Sequence, residues 1–228
     1  MWRAEPPKRP RRMGGGSVSA GAVGYRGLGR RPTWVSEGER VAPVDIAVDR
    51  VLIDTPGVVA FVAAAHVYPS GFSFNLGIRL RPTASAAIRD AFAEEFSHPL
   101  EPVSAEQAER RLRLGVRFAD GRGAAFNPNY PWVTSAEPQQ DVLPFVHSGH
   151  RSSDTSGIAD CEIWVFGLPD EGDVTLFHRW LDFDVPEGSV ELDGEALRAA
   201  SARAVVLWDA DTPDAPDAPD EAGPKPEA

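Results

Sequence analysis

His147 and His150 stand three residues apart with Asp154 shortly after them, and this is the one grouping in the 228-residue chain whose donor types and spacing suit a metal ion. Imidazole and carboxylate would serve a metal-dependent hydrolase, the alternative function that these residues raise. The segment that carries them, HSGHRSSDTSG, is rich in glycine and serine, and so reads as a solvated loop and not as a rigid cage for an ion. The expectation is therefore that the chain has no metal ligands, no catalytic residues and no cofactor.

Other chemistry is sparse. There is no G-x-S-x-G nucleophile motif, no phosphate-binding P-loop, and no dinucleotide G-x-G-x-x-G behind a strand. Gly27-Leu28-Gly29 lies in a basic arm without such a strand. Cys161 is the sole cysteine, which excludes an intramolecular disulfide, and its apolar neighbours point to a buried thiol. His66 and His178 read as satisfied sheet histidines, and the acidic pairs Glu94/Glu95 and Asp182/Asp184 as solvated charge. Trp132, Trp164 and Trp180 could stack on sugars but read as core.

Charge is divided along the chain. The net charge of -11 comprises +7 on residues 1–31, -12 on residues 32–208 and -6 on residues 209–228. Within the arm, Lys8, Arg9, Arg11 and Arg12 could hold a polyanion. A body this acidic repels phosphate backbones, so nucleic acid is not the expected partner. Val58–Ala65, the longest uninterrupted apolar run, is far too short to span a bilayer. Arg11-Arg12 lacks the apolar run that an export signal needs, so a cytoplasmic location is expected.

These residues must be positioned by strands. Phe72, Phe74, Leu76, Ile78 and Leu80 alternate with small or polar residues, which is the period of a half-buried strand. A turn at Ser70-Gly71 would set Val67 opposite Phe74, Ala65 opposite Leu76, Ala63 opposite Ile78 and Phe61 opposite Leu80, with His66 facing Asn75. Val44–Asp54 is a preceding strand with an irregularity, closed by Thr55-Pro56-Gly57. Ile88, Phe92 and Phe96 predict a helix that ends at His98-Pro99, and Ser104 with Gln107 predicts a capping box opening a short second helix through Arg111. Leu112–Phe118 and Arg122–Phe126 form a hairpin about Asp120-Gly121. Residues 127–159 read as a long connection. Cys161–Leu168 and Val174–Phe183 read as a second hairpin, apolar on both faces and so central. Asp193 should cap a terminal helix whose apolar face runs Leu197, Ala200, Ala204, Leu207 and Trp208.

The runs RLGVRFADGR, CEIWVFGLPDEGDVTLFHRWLDF and LDGEALRAASARAVVLW resemble a group of uncharacterised proteins of high-GC Gram-positive bacteria. The resemblance implies no activity, ligand or site residue. Near residue 148 that group is glycine-rich, where this chain reads SGHRSSDTSG. The expected architecture is mainly β: an antiparallel β-sandwich over residues 32–208, with a C-terminal helix and one or two short helices near residues 84–111. Residues 1–31 form a disordered basic arm and residues 209–228 a disordered, low-complexity Pro/Asp/Ala tail, neither able to offset its own ordering entropy. The expected function is non-catalytic: binding of a protein partner, or service as an accessory factor.

Overall fold

Eleven strands and three helices follow one another along the described residues of the computed structural model, which are 40–97, 104–126, 145–153 and 157–208. The basic arm and the acidic tail lie outside them. In chain order the elements are β1 (Val41–Ala42), β2 (Val44–Asp54), β3 (Val58–Tyr68), β4 (Gly71–Leu80), α1 (Ala86–Ser97), α2 (Ala105–Arg110), β5 (Arg113–Phe118), β6 (Gly123–Phe126), β7 (Phe145–Ser153), β8 (Ile158–Phe166), β9 (Val174–Trp180), β10 (Val185–Leu192), α3 (Gly194–Ser201) and β11 (Val205–Val206). A 3-10 turn, Leu181–Phe183, links β9 to β10.

The fold is mainly β, an antiparallel sandwich. One sheet is ordered β2-β3-β4-β8-β7 and the other β10-β9-β5-β6, and β1 pairs with β11 as a separate two-stranded ribbon. Phe72, Phe74, Leu76 and Ile78 of the first sheet share one core with Leu114, Val116, Leu176 and Trp180 of the second. β10 meets β2 along one side, and α3 lies over β2 and β3 with Leu197 and Ala200 fully buried. No helix among the described residues is long and apolar enough to cross a membrane.

The hairpin of β3 and β4 departs from the simple alternation. Its turn is Pro69-Ser70, so Val67 faces Phe72 and Ala65 faces Phe74. Between Ala65 and Val62 two residues, Ala63 and Ala64, oppose Asn75 alone, and past this bulge Val62 faces Leu76 and Ala60 faces Ile78. The bulge reverses the parity of β3, which buries Val58, Ala60 and Val62 on one side of it and Ala65 and Val67 on the other, and turns Ala63 outward. β2 is irregular at the same level, where Asp49 adopts a φ of 50°.

Three further expectations change. β8 and β9 are not a hairpin: β8 lies between β4 and β7, β9 between β10 and β5, so the chain crosses from one sheet to the other. Both strands are nonetheless central. Within the connection expected over residues 127–159, Phe145–Ser153 is the edge strand β7 and Ile158 begins β8. α3 stops at Ser201, and Val205 and Val206 pair with Ala42 and Val41 instead of extending the helix.

The local signals near the middle of the chain hold. Ser104 accepts from the Gln107 N–H while the Gln107 side chain accepts from the Ser104 N–H, closing the capping box on α2. Asp193 likewise accepts from the Ala196 N–H at the start of α3. Leu76→Ala should cost about 2–5 kcal/mol by leaving a cavity. Ala63→Lys, on the outward side of the bulge, should stay within about 0.5 kcal/mol. Denaturant titration of both variants reads the register, because an unbulged β3 would bury a lysine at position 63 and unfold the protein.

Candidate functional site

The residues that could do chemistry are dispersed over the sandwich. His147 pairs with Ile163 and His150 with Cys161, the register shifting between them at Ser148, and Asp154 lies outside the described residues. Cys161 is fully buried, and burial, with the charges of Asp160 and Glu95 behind it, pushes its thiol up to about 12. A thiol so placed stays protonated near neutrality and is a poor nucleophile. Among the described residues no three His, Cys, Asp or Glu side chains group as a metal would require.

A row across β2, β3 and β4 comes nearest to a catalytic constellation. Asp45 pairs with His66 and His66 with Ser73, the true neighbour that the bulged register supplies in place of Asn75. His66 Nδ1 lies 2.5 Å from Asp45 Oδ1. The third member fails: Ser73 Oγ is sealed from solvent and makes no hydrogen bond, so no base holds its proton and no substrate reaches it.

His178 projects into the core from β9, 7% exposed, and its Nδ1 has no hydrogen-bond partner. Its ring occupies the space of a missing side chain at Gly188, where a Cβ would come within 2.6 Å of Nε2. Burial therefore holds the imidazole below its usual value. Between that lowered value and about 6.5 the unfolded chain binds the proton and the folded chain does not, so stability is full above about pH 6.5 and falls as the pH drops. Denaturant unfolding at pH 7.5 and 5.5 should show this loss, and His178→Gln should shrink it; an unchanged difference would remove His178 from the account.

Two polar recesses stand out among the described residues. One, of about 230 Å³, lies between α1, α2 and the 3-10 turn, and holds the buried Glu95 and Arg111. Arg111 stands 3.9 Å from Glu95 and 3.8 Å from Glu94, while Arg110 binds Asp182 at 2.8 Å. Asp182 thus belongs to an ion pair. Asp184, at a φ of 54°, ends the turn. The other recess, of about 470 Å³, opens at the start of α3 between Arg50, Asp173, Glu191, Glu195 and Arg198. It is closed beneath by contact of backbones, since a Cβ on Gly194 would lie 1.9 Å from the Gly172 carbonyl oxygen. In the first recess every named acid lies beside a guanidinium group, with Arg111 shared between Glu94 and Glu95.

Trp164 and Trp180 are buried, as core residues should be, and Trp132 and the Lys8–Arg12 cluster lie outside the described residues. The feature that helical periodicity concealed is the ribbon. Val205, Val206, Leu207 and Trp208 are 57%, 56%, 54% and 46% exposed, a run of four large apolar side chains at the surface. Among the described residues the other exposed large apolar side chains, Val51 and the less open Ile158, stand apart in sequence. Two adjacent β-branched residues after the alanine-rich helix are the signal that could have placed a strand here. Comparison of the chain with protein-family models, with curated proteins and with solved structures gives no match.

Proposed function

We propose that the protein is a non-catalytic, cytoplasmic binding module that engages a partner protein through the ribbon of β1 and β11. The observation that carries this reading is the exposure of Val205–Trp208. Successive side chains of a strand face opposite ways, so Val205 and Val206 leave both faces of the ribbon apolar. Four large apolar side chains about half open to water are costly to leave uncovered, and exposed apolar surface of this kind marks association. Exposed aromatic residues such as Trp208 are also enriched at interface hot spots. The lone, buried thiol of Cys161 suits a reducing compartment.

A photo-cross-linking residue at position 207, in the cells that make the protein, tests the reading against the same residue at the exposed Glu187 on β10. The expected result is a cross-linked species of defined mass from position 207 alone, lost when Trp208→Ser is added. Leu207 carries little of the folding energy, so its replacement should move stability by no more than about 0.5 kcal/mol. Identical products from both positions, or none from position 207, would contradict the proposal.

A further inference from the structure

We infer that the occupant of the ribbon is an extended, cationic segment of the partner protein, added as a third strand along the outer edge of β11. This deepens the protein-binding reading above and rests on it. The Leu207 N–H donates to the Arg40 carbonyl at 2.8 Å, and Val206 lies opposite Val41. Backbone amides alternate sides along a strand, so the Val206 N–H and carbonyl turn away from β1 toward an edge that no described strand occupies. Exposed edges are commonly guarded by lysine or proline, and Val205–Trp208 contains neither. An added strand satisfies these backbone groups while its alternate side chains cover the apolar ones.

Charge selects the occupant. Asp209 follows Trp208 directly and Asp211 comes two residues later, and residues 209–228 carry a net -6. Arg40, just before β1, and Arg203, just before β11, are the cations beside the ribbon among the described residues, and the Arg203 side chain turns back to the Ala199 carbonyl. A second copy of the chain would bring a second acidic segment against the first, and an anionic lipid surface or a nucleic acid would be repelled in the same way. The chain's own residues 1–31 match in charge overall, but their basic run Lys8–Arg12 is broken by Pro10 and preceded by Pro6 and Pro7, while their alternating stretch Ser17–Ala22 carries no cation.

The test uses the full chain and three labelled ten-residue peptides: one alternating valine with lysine, one alternating valine with glutamate, and one alternating glycine with lysine, followed by fluorescence anisotropy. The valine–lysine peptide should bind at least about tenfold tighter than either other peptide and should weaken as salt rises. Val206→Pro removes the outward N–H without touching a bond to β1, and should abolish that preference while the melting temperature is unchanged. Asp209→Asn and Asp211→Asn together should reduce it. Equal binding of the valine–lysine and valine–glutamate peptides, with cross-linking at position 207 intact, would overturn the cationic occupant alone and leave protein binding standing. Equal binding of the valine–lysine and glycine–lysine peptides, or binding indifferent to Val206→Pro, would overturn strand addition. Absence of binding by all three peptides would overturn the inference, whereas loss of cross-linking at position 207 would overturn the reading beneath it.

Discussion

Trp180 is fully buried at the end of β9 in the four-stranded sheet, and its ring packs against both α1 and the 3-10 turn. Phe96 of α1 stands edge-on to it at 6.1 Å, and Phe183 of the 3-10 turn packs at 3.9 Å. Phe92 lies behind Phe96 at 4.6 Å, so one aromatic column runs from α1 to the end of β9. The indole Nε1 has no hydrogen-bond partner, which costs about 1–3 kcal/mol. Truncation of a buried aromatic costs about 3–5 kcal/mol, so packing outweighs that deficit and keeps tryptophan favourable here. Around this column Glu109 of α2 reaches Arg179 and Arg113, and the hydrogen bond from Arg179 is the main cause that holds its carboxyl below the usual range. The helices are thus fastened to β5 and β9 by packing within and by ion pairs without.

What could be read from sequence were the features decided locally. β4, β5 and the capping box on α2 depend on side-chain period and on groups a few residues apart, and all three are present as expected. The register of β3 depends on a bulge whose residues, Ala63 and Ala64, are as apolar as their neighbours, so no change of period betrays it. β8 and β9 resemble a hairpin because each is apolar on both faces and a turn-like segment joins them. Their partners are instead β4, β7, β5 and β10, a choice made by contacts distant in sequence. The same competition ends α3 early: Ala204, Leu207 and Trp208 continue a helical face, but Val205 and Val206 are better strand formers and Val41-Ala42 is there to receive them.

That local outcome decides the functional reading. Had α3 continued, Leu207 and Trp208 would have been core residues and the surface would have lost its main apolar feature. Ending the helix at Ser201 sends them to a ribbon outside the sandwich. His147 and His150, the most suggestive pair in sequence, become register partners of Ile163 and Cys161 on an edge strand, and the Asp45–His66–Ser73 row stops at a sealed hydroxyl. The body is held by its own packing and ion pairs, while the ribbon retains apolar surface and backbone groups on an outer edge.

Amide hydrogen exchange at Val206 reads this most directly. If the outer edge of β11 is open, the Val206 amide exchanges near the rate of an unprotected peptide while Leu207, bonded to Arg40, is slowed and Val62 in the sandwich core is slowed far more. Protection of Val206 equal to that of Val62 would show the edge already paired, and would contradict the account of the ribbon as a surface awaiting a partner.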